Sequence, residues 1–251
     1  MNPVVIRDVK IGEGMPKICV PIVGVTKEEI INEAKNIKTI PADLVEWRAD
    51  WFDGVWNISE VEDVLKCLRE ELGNMPLLFT FRTAKEGGEK AIDDVAYTEL
   101  NKKVAETEIA DLIDVEIFST EEVVKDIIAY AHKCNVKIIA SNHDFQKTPS
   151  EDEIIVRLKK MQDLDADILK IAVMPNTSRD VITLLSATEK MVSDYADRPV
   201  VTMSMSGKGV ISRIAGEVFG SAITFGAAKK ASAPGQIAVE ELKNVLNIVH
   251  G

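Results

Sequence analysis

Short apolar runs alternate with longer amphipathic stretches along nearly the whole chain. Residues 4–10 read as a small strand and turn ahead of the main body. After them, the runs 17–23, 44–50, 77–82, 112–117, 137–143, 166–174, 200–205 and 222–227 are dominated by Ile, Val and Leu. Runs this short and this apolar suit strands covered on both faces. Between them the period shifts to that of a helix, over 26–37, 59–72, 93–108, 120–134, 150–164, 178–195, 210–219 and 236–249. Val61, Val64, Leu65 and Leu68 share one helical face, and Gly73 follows as a stop signal. Thr26 with Glu29 gives a capping-box start. Eight strand–helix units within 251 residues predict a single-domain (β/α)₈ barrel spanning residues 1–251, with a short N-terminal strand or hairpin. An open doubly wound sheet is the alternative, but no Gly-x-Gly-x-x-Gly follows the first strand. No linker, low-complexity segment or charge run divides the chain.

Composition narrows the partners. A formal net charge of -11 offers no basic field for a nucleic-acid backbone or an anionic membrane. Small anions stay open, because a few arginines inside one pocket outweigh the global charge locally. Cys19, Cys67 and Cys134 lie far apart, odd in number and without a CxxC pair, which predicts buried free thiols in a reducing compartment. The N-terminus has no signal-peptide core and no apolar run spans a bilayer, so the expectation is a cytoplasmic, soluble protein. Three scattered histidines are too few for a zinc centre, and no metal is expected.

Chemistry collects at predicted strand ends, where barrels of this type carry their sites. Lys170 sits in the middle of Ile168-Leu169-Lys170-Ile171-Ala172-Val173. Burying an ammonium costs several kcal/mol unless it is paired or loses its proton. A lysine in its free-amine form attacks carbonyls and forms Schiff bases. The structural alternative is a lysine whose stem follows the core while its head escapes or meets a carboxylate. Glu46, Arg48 and Asp50 share a parity, as do Asp114 with Glu116 and Met203 with Met205. Arg82 closes the third strand, Glu86 follows it, His143 ends the fifth, and Arg213 comes soon after the seventh. Singly, each has a bland reading: Arg48 could pair with Glu46 or Glu116, and the aspartates could orient loop amides. Together, a buried cluster of both charges is expensive and marks functional sites. The set supports elimination of water from a hydroxy-ketone acid without a cofactor. Lys170 would form an iminium, His143 would move protons with Glu86 orienting it, and arginines would clamp a carboxylate.

The chain resembles the type I 3-dehydroquinate dehydratases of the shikimate pathway. The matching pieces are Glu46-Trp47-Arg48-Ala49-Asp50, Phe81-Arg82-Thr83 with Glu86-Gly87-Gly88, and Ser141-Asn142-His143-Asp144-Phe145. They continue with Asp167 to Ala172, Met203-Ser204-Met205-Ser206-Gly207 with Ser212-Arg213, and Phe225-Gly226 with Ala231 to Gln236. The resemblance implies a (β/α)₈ barrel, usually a homodimer, converting 3-dehydroquinate to 3-dehydroshikimate by syn elimination through a lysine Schiff base, with no cofactor. It implies Lys170 as the Schiff-base lysine, His143 as acid/base and Glu86 as its partner. It further implies Arg213 with Gln236 and Ser232 on the substrate carboxylate, and Glu46, Arg48 and Arg82 on ring hydroxyls. Met203, Met205 and Phe225 would be apolar walls, and residues 229–236 a closing lid. Pro21 stands where several relatives have a substrate-contacting serine. Three rivals remain: a class I aldolase on the same fold, a metal-dependent barrel hydrolase using Asp114, Glu116 and His143, and a non-catalytic carboxylate-binding barrel.

Overall fold

A computed structural model of the protein describes residues 2–228 and 232–251. Two short strands, β1 (Val4–Ile6) and β2 (Val9–Ile11), form the N-terminal hairpin. The alternation that follows is β3 (Lys17–Ile22), α1 (Lys27–Ile37), β4 (Leu44–Arg48), α2 (Ile58–Leu72), β5 (Leu77–Thr80) and α3 (Asp94–Glu106). It continues with β6 (Leu112–Glu116), α4 (Glu121–Lys133), β7 (Lys137–Asp144), α5 (Glu151–Asp163), β8 (Ile168–Val173), α6 (Ser178–Asp194) and β9 (Val200–Ser204). The chain then runs through α7 (Val210–Ile214), α8 (Gly216–Phe219), β10 (Ile223–Ala227), β11 (Ile237–Ala238) and α9 (Val239–His250). The larger sheet is parallel throughout, in the order β11-β10-β3-β4-β5-β6-β7-β8-β9, and β3 to β10 curl into the predicted barrel. None of the described helices is long and apolar enough to cross a membrane.

The seam lies between β9 and β10. It is held by a bridge between Val200 and Ser221 and by the Ser221 hydroxyl, which accepts from the Thr202 N–H at 3.0 Å. The helix expected over 210–219 is broken at Ala215 into α7 and α8. After α8, Gly220 and Ser221 both donate their N–H groups back to the Gly216 carbonyl, a tight turn that delivers Ser221 to the seam. The final helix starts at Val239, three residues later than expected, because Ile237–Ala238 instead extends along β10.

Parity along each strand divides the core into two layers. Outward residues such as Val20, Trp47, Phe79, Val115 and Ile171 pack beneath the helices. Inward residues Cys19, Leu44, Leu78, Leu112, Ile139, Ile168, Val201 and Ile223 fill the base of the barrel, closed from below by Ile6 and Ile11 of the hairpin. Arg7 pins that hairpin by pairing with Asp111 at 2.7 Å. Of the cysteines, Cys19 is buried as expected, whereas Cys67 and Cys134 are only partly covered; all three are free. These two sit on α2 and just beyond α4, at the margin of helix faces whose centres carry the core contacts.

Candidate active site

Above the apolar base, the same inward parity continues with Glu46, Thr80, Asp114, Ser141 and Lys170, then Arg48, Arg82, Glu116 and His143, toward the C-terminal ends of the strands. Lys170 is 3% exposed and registers between Ser141 on β7 and Val201 on β9. Its Nζ lies 3.1 Å from Asp114 Oδ2, 3.6 Å from Glu46 Oε1 and 4.6 Å above the Phe225 ring. Lys170 is thus paired with carboxylates, as its structural alternative expected, and it also borders the cavity.

Asp114 is the hub beneath it. Its Oδ1 accepts from Ser141 Oγ at 2.6 Å and pairs with Arg82 at 2.8 Å. Burial pushes its carboxyl up, but the Arg82 guanidinium and the Lys170 ammonium more than offset this and leave it below the ordinary value. Arg82 also meets Glu116 at 2.8 Å and Glu86 at 3.7 Å, so burial, which lowers a guanidinium, is overcome by three carboxylates. Arg48 makes a two-pronged contact with Asp50, both bonds 2.8 Å. This corrects two expectations. The strand ends at Arg48 and Asp50 sits in a following 3₁₀ turn, and the partner of Arg48 is Asp50, not Glu46 or Glu116. Asp50 also accepts the backbone N–H groups of Arg82 and Glu89, so it ties the loop carrying Glu86 to the end of β4.

His143 and Glu86 form a tight pair. The backbone N–H of His143 donates to Glu86 Oε2 at 2.8 Å, and Nδ1 lies 2.9 Å from the same oxygen. Burial first, then the charge of Glu116, raises the Glu86 carboxyl to about 8 against the pull of Arg82. Burial and the cations Arg82, Lys170 and Arg48 hold the imidazole well below its usual value. A carboxyl pushed up beside an imidazole pushed down favours the uncharged pair, a protonated carboxyl next to a neutral imidazole that is free to accept a proton.

Arg213, on α7, is different from the other two arginines. It is 1% exposed, and no described carboxylate pairs with it. NH2 donates to the Pro234 carbonyl at 3.2 Å, NH1 touches Met203 Sδ at 3.8 Å, and Nε has no described partner. Burial alone lowers this guanidinium to about 10. A buried cation without a counter-charge is costly, and it presents an anion site. In the segment whose Pro234 carbonyl Arg213 meets, Ser232 and Gln236 hold each other, with Gln236 Nε2 donating to Ser232 Oγ at 3.0 Å.

These groups line one pocket that is partly open to solvent. All twelve site residues expected from the sequence line it: Glu46, Arg48, Arg82, Glu86, His143, Lys170, Met203, Met205, Arg213, Phe225, Ser232 and Gln236. Gly87, Phe145, Ala172 and Ala233 also line it and were not singled out. Thr80, which donates to Glu46 at 3.0 Å, and Ser141 were missed too, although their inward parity with Arg82 and His143 was a readable signal. Of the expected lid, residues 229–231 lie outside the described residues, while Ser232, Ala233 and Gln236 line the pocket. Pro21 stands opposite Glu46 in the register and offers no N–H. Among the described residues no group of three His, Cys, Asp or Glu side chains is arranged to hold a metal ion.

Comparison with known proteins agrees with this geometry. A family model for type I 3-dehydroquinase matches residues 18–251. A 3-dehydroquinate dehydratase of Clostridioides difficile (strain 630) is 56% identical over 245 residues, covering 98% of this chain and 96% of the relative. Among solved structures, type I 3-dehydroquinate dehydratase from Clostridium difficile with covalently modified comenic acid superposes with a TM-score of 0.97 at 56% identity, covering 100% of this chain and 99% of its own. The 3-dehydroquinate dehydratase of Enterococcus faecalis gives 0.93 at 47% identity, covering 98% and 99%. With a match of this extent over the whole barrel, the chain belongs to the type I 3-dehydroquinase family.

Proposed function

We propose that this enzyme dehydrates 3-dehydroquinate to 3-dehydroshikimate through a Schiff base on Lys170, as a step of aromatic amino acid biosynthesis. The observation that carries this reading is the sharing of one cavity by a lysine, an imidazole–carboxylate pair and a buried guanidinium without a carboxylate. Arg213 receives the substrate carboxylate, with Ser232 and Gln236 beside it, and so sets the ring over Lys170. Lys170 passes its ammonium proton to His143 and attacks the ketone carbon as the amine; His143 returns that proton to the carbinolamine oxygen, which leaves as water and gives an iminium that acidifies the adjacent C–H. Asp114, 3.1 Å away, faces the cationic nitrogen throughout. His143 takes the proton from carbon and returns it to the departing hydroxyl, while Glu86 holds the ring by Nδ1. Hydrolysis of the iminium restores the lysine. Glu46, Arg48 and Arg82 face the ring hydroxyls, and Met203, Met205 and Phe225 supply apolar walls.

The elimination balances without any cofactor, since every proton lost is returned to the leaving oxygen. A covalently modified ligand in the Clostridium difficile relative fits a nucleophile in the site. The net charge of -11 and the free cysteines support a cytoplasmic enzyme without nucleic-acid partners, and the family resemblance supports a homodimer. The test is a borohydride trap. Incubation with 3-dehydroquinate followed by reduction is expected to give a mass adduct mapping to Lys170, together with the ultraviolet absorbance of the conjugated product. Absence of both would reject the reading and favour a carboxylate-binding barrel.

A further inference from the structure

The segment covering the cavity is held by a backbone contact outside the catalytic set. Ser206, just past β9, has φ 60° and ψ 177°, a left-handed conformation that residues with a Cβ rarely adopt. That conformation turns its peptide so that the Ser206 N–H donates to the Pro234 carbonyl at 3.1 Å. The same carbonyl accepts from Arg213 NH2 at 3.2 Å. One oxygen of the covering segment therefore joins the β9–α7 connector to the unpaired guanidinium.

Gly235 makes this approach possible. Its φ is +82°, and a Cβ there would run into the Ser206 carbonyl oxygen and come within 2.7 Å of its carbon and 3.0 Å of its nitrogen. Neither condition suits any residue other than glycine. Gly207, in the same connector, has no described atom within 4 Å of an added Cβ and so provides the uncrowded comparison.

We propose that Ser206 and Gly235 form a backbone latch that seats the 232–236 segment over the cavity and orients Arg213 through the shared Pro234 carbonyl. They act as positioning residues; neither needs to touch the substrate. The strain at Ser206 is then retained because only that peptide orientation presents its N–H to the segment. With the latch seated, Ser232 and Gln236 are delivered to the side of the cavity where Arg213 waits, while Nε and NH1 of Arg213 keep no oxygen partner among the described residues. Closing the opening also keeps water and reagents from the iminium. The inference rests on the Schiff-base reading above.

The experiment compares Gly235→Ala with Gly207→Ala in the full chain. Gly235→Ala is expected to lower kcat/KM at least tenfold, chiefly through a higher KM, with the thermal midpoint essentially unmoved. It should still trap 3-dehydroquinate on Lys170 at saturation, but with faster borohydride reduction of the iminium than the parent protein, because the nitrogen is uncovered. Gly207→Ala should match the parent in both readouts. If Gly235→Ala matched the parent in KM and reduction rate, or if Gly207→Ala lost as much, the latch would be wrong. Failure of the parent protein itself to trap substrate would instead reject the Schiff-base reading, so the two failures are distinguishable.

Discussion

The base and the mouth of the barrel are built from the same inward-facing parity on the same strands, yet they are opposites. On β6, Leu112 belongs to the base, Asp114 to the hub of the site and Glu116 to its rim, each step about 7 Å further along the strand. The base is an apolar plug, which gains roughly 25 cal/mol for each Å² of apolar surface removed from water. The mouth instead buries Lys170, Arg82, Arg48 and five carboxylates, an arrangement that replacement by packed apolar residues often improves in stability. The difference teaches that stability and chemistry are assigned by height along a strand, with the hairpin residues Ile6 and Ile11 reinforcing the end that does no chemistry.

That contrast can be broken by moving function or stability alone. Lys170→Ala removes the nucleophile and is expected to lower turnover by on the order of 10⁴-fold or more, read by product absorbance, while the protein still melts cooperatively. Retention of a near-parent rate would show that the mouth does not work through this lysine. Next in size, Arg213→Met should reduce kcat/KM roughly 10²–10³-fold, the loss expected when one member of a buried charge pair is truncated. Because Arg213 has no internal carboxylate to strand, the melting temperature should hold or rise. A large drop in melting temperature with unchanged KM would mean the guanidinium is structural.

At the base the pattern should invert. Ile11→Ala is expected to cost about 2–4 kcal/mol of stability by denaturant titration, with kcat of the folded enzyme essentially unchanged. A comparable loss in kcat would show that the base supports the geometry of the mouth and not only its stability. The last test concerns pH. Glu86 is raised to about 8 in the folded protein from an ordinary carboxylate value when unfolded, so its protonated form favours the fold. That contribution is complete below the unfolded value and is lost as pH rises through about 8. Glu86→Gln cannot ionise, so its melting temperature relative to the parent should climb between pH 5 and 8. A flat difference across that range would remove the buried, raised carboxyl from the account.

Much of this was legible in the sequence because period and parity are local properties. The alternation of apolar runs with helical patterns gave the barrel, and the shared parity of Glu46 with Arg48, and of Asp114 with Glu116, put each pair on one face. Parity misled at Asp50, where the strand gives way to a 3₁₀ turn and the alternation no longer applies. Hidden too were the split of the expected helix over 210–219 at Ala215 and the Ser221–Val200 bridge across the seam, a contact between residues distant in sequence. Ser141 and Thr80 went unnoticed although their parity placed them inward, because parity gives a direction and not a partner, and their roles come from Asp114 and Glu46 on neighbouring strands.

By itself, then, the sequence determined which side chains face inward and at what height they stand, since a strand's period of two follows from backbone geometry alone. Only the tertiary structure decided who pairs with whom. Arg48 is satisfied by Asp50 and Arg82 by three carboxylates, while Arg213, a residue of the same type, is left without any. Electrostatic interaction depends on distance and on the exclusion of water, and both are fixed only when the strands close around a common axis. The shared Pro234 carbonyl, which joins Ser206 to Arg213, likewise exists only once the end of the chain folds back over the mouth.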